Sequence, residues 1–488
     1  MTVATPDRQG ATASRTAFLD EAEAFARARR QALPFRFLKW FTRCSEDELG
    51  FLIRKIYCES LPEGGACAEG WWLAGLKSLV QPASYLLRKT VLWNPRPAVV
   101  FDLETITPPY FERWFASAFE RLDGPKRLTS RCDPQAFVGK AEARIDSTVT
   151  PATALKLLLA PLCIPALWAM SPAANSPKFL AAFRQALGFY AVFEGHFRRY
   201  PCRHFLTFSD ETNHPSRYIA FKQNCGGSLV VVQNGERNRH PMHAFGMVDV
   251  YLTFGEFQRR LCADLRMHVG RVVPVGALCL NEYHPLLQTL ERESAGRQVY
   301  DQDLVFVDQS LWPDNGLDQA AGEGFFKVFR NLDRLKAERP SLRLAYQLKC
   351  YSDRDERDRI VAAVRRSIPS GIEILDNENK GESYRSVYRS RLVLTVSSTL
   401  GYESFFFGRN KKVLFLNYSG KAYDVECPDA RFTLVDPSAD YGAFRDRVDF
   451  LLGLELSGVP ETARERHFAF DGRVQERIAE FLNREPRA

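Results

Sequence analysis

The chain has 488 residues, 45% hydrophobic and 26% charged, the composition of a globular protein long enough for two core-bearing domains and an extension. Its 66 basic and 59 acidic residues leave a net charge of +7 with no concentrated basic tail. That balance suits a protein that handles anionic nucleotides or rests on an anionic membrane face, and no nucleic-acid partner is expected. The 11 cysteines form no CxxC pair, so buried thiols in a reducing compartment are expected in place of disulfides or a zinc site. Residues 1–14 lack the basic-then-apolar order of a signal peptide, which predicts a cytoplasmic location, with peripheral contact to the inner face of the cytoplasmic membrane left open.

Residues 1–95 read as a helical N-terminal extension. Ala17 to Ala32 is rich in Ala, Glu and Arg, and Phe35, Phe37, Leu38, Trp40 and Phe41 cluster among Arg36, Lys39 and Arg43. An aromatic and basic helix of this kind either packs on its own domain or anchors at a membrane interface. Leu155 to Met170 is the most apolar stretch. It is shorter than the ~20 residues that span a bilayer and is broken by Pro161 and Pro165, so it predicts a buried helix pair or a surface that dips into a membrane. Arg198, Arg199 and Arg203 follow the next helical stretch, as a membrane-facing basic patch would.

From residue 96 the pattern alternates between strand and helix. Strands are expected at Ala98 to Leu103, His204 to Ser209, Ser228 to Val232, Val248 to Thr253 and Val272 to Val275, with helices at Tyr110 to Leu122, Pro215 to Asn224 and Glu256 to Leu265. This gives a first Rossmann-like domain over 96–285, carrying the apolar insertion near 154–172. Asn281 to Arg297 reads as a linker. A second domain follows over 298–456, with strands at Leu304 to Asp308, Leu342 to Lys349, Ile372 to Leu375, Leu392 to Val396 and Val413 to Leu416, and helices near 320–338, 354–367, 382–389 and 399–407. Ala443 to Leu452 reads as a further helix, and residues 460–488 as a C-terminal helix packing back across the domains. The fold class is therefore α/β, two doubly wound domains in tandem, whose default ligand site is the crevice at the carboxyl ends of their strands.

Residues 391–416, RLVLTVSSTLGYESFFFGRNKKVLFL, carry the sharpest signal. An apolar strand ends at Ser397, Ser398 and Thr399 where a helix must begin, and free backbone N–H groups with three hydroxyls favour a phosphate. Gly401 would permit close approach, Glu403 lies one turn into the helix within reach of a ribose, and Gly408 ends the helix. Ordinary N-capping explains the same three hydroxyls. Lys349 ends one strand of the domain and Gln309 and Ser310 follow another, adding polar groups to the same end of the sheet. In the first domain, Asp210 and Glu211 follow one strand and Gln233, Asn234, Gly235 and Glu236 the next; these loops offer carboxylate bases and acceptor contacts, or are solvated turns. His214, His240 and His243 lack a ligand spacing, and no metal is expected.

The order of a strand, a Gln-x-Gly turn, DVYLTFGEF, a lysine-ended strand, SSTLGYESFFFG and KKVLFL resembles the GT-B-fold glycosyltransferases of bacterial surface-polysaccharide assembly. Within that group it is most similar to the surface carbohydrate biosynthesis proteins and Kdo-transferase-like enzymes, and SSTLGYE is shared with relatives that include the nucleotide-sugar 2-epimerases. The resemblance covers about residues 200–440. Such relatives often carry Gln-His-Gly where this chain has Gln233-Asn234-Gly235, which removes an imidazole. The resemblance implies a metal-independent, cofactor-free transfer of a sugar from a nucleotide-sugar donor to a glycan or glycolipid acceptor, as in capsule or lipopolysaccharide synthesis. Ser397, Ser398, Thr399, Gly401, Lys349 and Ser310 would then hold phosphate and Glu403 ribose. Gln233, Asn234 and His240 would face the acceptor, with Asp210, Glu211 or Glu236 as base in an inverting enzyme or nucleophile in a retaining one. An epimerase or a non-catalytic scaffold of an assembly complex are the alternatives.

Overall fold

The computed structural model describes residues 17–61, 97–105, 111, 114–130, 143–145, 149–171, 176–208, 213–294, 299–307, 319–349, 354–375, 380–396, 398–407, 410–418, 429–436, 438–467 and 469–484. Its contacts divide it into two bodies. One lies within residues 17–254, 258–275 and 473–484, the other within 255–257 and 276–472.

The first body is built on seven parallel strands: β1 (Val99–Thr105), β2 (Lys126–Ser130), β3 (Ala143–Arg144), β4 (Cys202–Thr207), β5 (Ser228–Val232), β6 (Met247–Thr253) and β7 (His268–Pro274). Their spatial order is β3-β2-β1-β4-β5-β6-β7. The first three strands therefore grow outward one way and the rest the other, the doubly wound pattern whose switch point falls between β1 and β4. The apolar run Leu229 to Val232 is buried, as a parallel strand covered on both faces requires.

Among the described residues, three N-terminal helices belong to this body: α1 (Ala17–Arg29), α2 (Leu33–Thr42) and α3 (Glu46–Ser60). Ser45 and Glu48 form a reciprocal capping box at the start of α3, with Glu48 N donating to Ser45 Oγ at 3.2 Å and Ser45 N donating to Glu48 Oε2 at 2.7 Å. α2 turns Phe35, Leu38 and Phe41 inward, where Phe35 meets Phe179 edge-on and Phe41 meets Tyr190. Each such burial contributes about 2–3 kcal/mol, which joins the aromatic helix to the core of its own body, while Trp40 stays on the outside.

α4 (Ala116–Glu120) precedes β2, and α5 (Pro151–Leu157), a 3-10 turn (Ala160–Cys163), α6 (Ile164–Met170) and the long α7 (Ser176–Arg199) fill the crossover that reverses the winding. α8 (Pro215–Asn224) follows β4 and α9 (Phe257–Asp264) follows β6. The last helix, α17 (Val474–Arg484), returns to this body: Gln475 Oε1 accepts from Ala118 N at 3.1 Å, and Asn483 bonds Asp123 N and Arg121 O at 2.9 Å each.

The second body has six parallel strands: β8 (Gln302–Val307), β9 (Leu344–Gln347), β10 (Glu373–Leu375), β11 (Ser390–Thr395), β12 (Lys412–Asn417) and β13 (Thr433–Val435). Their order is β10-β9-β8-β11-β12-β13, the same reversal, with the switch point between β8 and β11. Its helices are α10 (Leu278–Glu293), α11 (Gln319–Glu338), α12 (Arg354–Ser367), α13 (Lys380–Tyr388), α14 (Thr399–Ser404), α15 (Tyr441–Gly453) and α16 (Glu461–Arg466). In α11, Phe325, Val328, Phe329, Leu332 and Leu335 recur at three and four residues, and Phe325 and Phe329 close on Phe306 of β8.

Three expectations differ from the structure. The single helix expected over 460–488 is two, α16 in the second body and α17 in the first. The presumed linker from Asn281 is largely the helix α10, which clusters with the second body; Pro285 inside it and its polar face hid the helical pattern. Strands β2, β3 and β13 were not foreseen, being only five, two and three residues long with few apolar positions.

Candidate functional site at the strand ends

In the second body the segment singled out in the sequence leads to the switch point. β11 pairs β8 on one side and β12 on the other, and at its carboxyl end Ser398 takes an extended backbone and caps α14. Ser398 N donates to Thr395 Oγ1 at 3.3 Å, while its own side chain makes no capping bond. The hydroxyl therefore stands at the end of the central strands without the structural duty that ordinary capping would give it. Ser397, Gly408, Gln309 and Ser310 lie outside the described residues. Lys349 is exposed, two residues beyond the end of β9, one strand removed from the switch point.

Three details depart from expectation. α14 has six residues and continues to Phe407 only as tight turns, with Phe406 N bonded to Glu403 O at 3.0 Å and Phe407 N to Ser404 O at 2.9 Å, so its dipole is weaker than that of a full helix. Gly401 faces the sheet: a Cβ there would lie 2.7 Å from Thr395 Cγ2 and 3.2 Å from Phe415 Cε1. Its missing side chain lets α14 sit close on β11 and β12, and does not open a path for phosphate. Glu403 is 1% exposed and Oε2 accepts from Tyr384 Oη at 2.6 Å. Tyr384 in turn stacks on Tyr283 at 4.2 Å, so the carboxylate ties α13 to α14 and is not open to a ribose.

Two residues that sequence reasoning passed over hold this corner. The Arg466 guanidinium lies over the Tyr402 ring at 4.2 Å, and that ring stacks on Phe415 of β12 at 4.3 Å. Lys411 is fully buried, and its ammonium donates to the carbonyls of Val387 and Tyr388 at 2.8 Å each and to that of Ser390, closing the C-terminus of α13 where it enters β11. Burial pushes its pKa well below the usual lysine value.

In the first body Asp210 and Glu211 follow β4 in sequence and lie outside the described residues; β4 itself borders the β1/β4 switch point. Gln233 is fully buried; its Oε1 accepts from Phe254 N and its Nε2 donates to Gly235 O, both at 2.8 Å. Asn234 Nδ2 donates to Phe208 O at 2.8 Å and its Oδ1 accepts from Arg237. Both side chains brace the loop after β5 and are not presented to an acceptor. His240 caps the 3-10 turn Pro241–His243, its Nδ1 accepting from Met242 N at 3.2 Å. Glu236, half-buried in the same loop, is the described carboxylate of the predicted set.

The structure adds a row of buried charge that leads to this switch point. Asp102 and Glu104, two apart on β1, share a face. Asp102 meets His196 Nε2 at 3.1 Å and Arg127 at 3.6 Å, and Glu104 lies 3.6 Å from Arg217, whose Nη1 is 3.4 Å from Thr207 Oγ1 at the end of β4. Behind α8, Lys55 and His214 each approach the Glu59 carboxylate to 3.7 Å. Burial raises the Glu59 carboxyl to about 7 and lowers both basic groups. The clue in the sequence was the pair of acids at alternate positions in the apolar run VVFDLET.

No family model and no curated protein matches the chain. Solved structures similar to it include the UDP-GlcNAc 2-epimerase of Neisseria meningitidis bound to UDP-GlcNAc, at 11% identity, covering 80% of this chain and 100% of that one with a TM-score of 0.44. The Methanocaldococcus jannaschii UDP-GlcNAc 2-epimerase with UDP-GlcNAc and UDP gives 12%, 79%, 99% and 0.49. The wall teichoic acid polymerase TagF gives 12%, 84%, 95% and 0.42. The fold assignment rests on the strand orders themselves: the class is α/β, with two doubly wound, Rossmann-type sheets in tandem.

Proposed function

We propose that the chain is a metal-independent glycosyltransferase that holds a nucleotide-sugar donor on its second body and transfers the sugar to a glycan or glycolipid acceptor. The observation that supports this most is Ser398: a hydroxyl at the carboxyl end of β11, at the switch point with β8, that makes no capping bond. In doubly wound sheets this is where ligands bind, and small hydroxyls beside free backbone N–H groups suit a diphosphate. In this reading Thr399, and by sequence position Ser397 and Ser310, which lie outside the described residues, are the further hydroxyls for phosphate. Glu403 and Tyr384 position α14 from behind. On the first body, Asp210, Glu211 and Glu236 are the candidate bases, activating an acceptor hydroxyl at the strand ends.

Calorimetric titration with UDP, CDP, GDP and CMP, followed by product analysis with the matching sugar nucleotides, tests the reading. One nucleotide should bind, and Ser398→Ala should weaken it about tenfold, one lost charge-assisted hydrogen bond, without lowering thermal stability. Binding unchanged by that substitution would move the site elsewhere. Interconversion of the sugar nucleotide in the absence of acceptor would replace transfer with epimerisation.

A further inference from the structure

We propose that α2 and residues 151–170 form a docking surface for an anionic lipid bilayer, lying in the interface and not crossing it. Ten large hydrophobic side chains stand exposed among the described residues, and seven belong to these two segments, from Leu33 and Trp40 through Leu155, Leu159 and Leu162 to Trp168. Such concentration is unlike the scattered apolar exposure of an ordinary surface. The segments adjoin: Lys156 of α5 places its ammonium 5.0 Å from the Trp40 ring of α2.

The second segment does not span. α5, the 3-10 turn and α6 are separate short pieces, opened by Pro151, Pro161 and Pro165, and their inner side chains Ala154, Leu157, Cys163 and Leu167 are part of the first body's core. A stretch anchored along one face in that core can present only its other face, and that face is leucine and tryptophan.

Charge selects the occupant. Residues 33–43 and 149–170 contain no Asp or Glu and carry Arg36, Lys39, Arg43 and Lys156. Lys39 pairs with Glu46, and Arg198 pairs with Glu194 at 2.9 Å, at the edge of the patch. Arg43, Glu194 and Arg198 all act electrostatically on Lys156, two cations against one acid. Leucines to enter the acyl boundary, two tryptophans suited to headgroup depth and cations interleaved with them match an anionic leaflet, whereas protein interfaces are poor in lysine at their centres.

The test is sedimentation of the full chain with phosphatidylcholine vesicles with and without about 30% phosphatidylglycerol, at low and high salt. Binding is expected to the anionic vesicles, weaker in high salt, with a blue shift of tryptophan emission. Leu159→Asp/Leu162→Asp, at exposed positions, should lower vesicle affinity at least about tenfold with an unchanged thermal melt. Lys156→Gln with Arg36→Gln should reduce the preference for anionic lipid. No binding to either vesicle, or equal binding by the aspartate variant, overturns the proposal. So does a wild-type dimer in solution that the aspartate variant dissociates, since a second copy would then cover the patch.

Discussion

Gly401→Ala tests how α14 is seated on the sheet. The added methyl would lie 2.7 Å from Thr395 Cγ2 and 3.2 Å from Phe415 Cε1, against an ordinary contact of 3.4 Å or more. Thr395 is fully buried and Phe415 is held by Tyr402, so neither can withdraw freely. Over-packing costs about 1–3 kcal/mol, and a contact as short as 2.7 Å belongs to the upper part of that range, about 2–3 kcal/mol; alanine for glycine inside a helix returns about 1 kcal/mol, leaving a net loss of about 1–2 kcal/mol. Thr395→Ser removes the offending methyl and keeps the oxygen that accepts from Ser398 N. In that background Gly401→Ala should become neutral or stabilising. The double-mutant cycle, read from urea unfolding midpoints followed by a probe in the second body, should give a coupling of about 1–2 kcal/mol. A neutral Gly401→Ala in the native background, or a cycle with no coupling, would show that the glycine does not serve helix–strand packing.

Lys411→Met should destabilise the second body by about 2–4 kcal/mol, because three buried carbonyls lose their donor; urea unfolding measures this, and a loss under 1 kcal/mol would argue against the cap. His204 has its pKa lowered from 6.5 to about 4, first by burial and then by Arg203. The unfolded chain therefore binds a proton below pH 6.5 that the folded chain refuses until about pH 4, and stability contributed by this group is lost as pH falls through that window. The loss is about 1–2 kcal/mol after allowing for partial solvation, and His204→Gln should flatten that part of the stability–pH curve.

The sequence made the sheet legible where strands are long and apolar. Ser228 to Val232 and Val413 to Leu416 are found almost as expected, because buried parallel strands read as continuous runs of apolar residues. Strand order was not legible, since pairing depends on contacts between residues far apart, such as Val393 with Val305 and Phe205 with Leu229. Only with that order does Ser398 acquire its place at a switch point. The glycine and the glutamate of the same motif misled for a related reason. Periodicity shows that Gly401 and Glu403 lie on a helix, but which side of it meets the sheet and which partner fills the space behind it are tertiary facts. Likewise Gln233 and Asn234 look like exposed turn residues in sequence, yet the loop they belong to lacks enough backbone partners and takes theirs.

The most direct test of the central claim is amide hydrogen exchange on the full chain with and without the nucleoside diphosphate that calorimetry selects. The account predicts that protection on binding is strongest in peptides covering residues 395–404, and that Ser398→Ala removes it without altering exchange in β11 or β12 of the free protein. Absence of binding by any nucleotide, or protection that leaves residues 395–404 untouched, would contradict it.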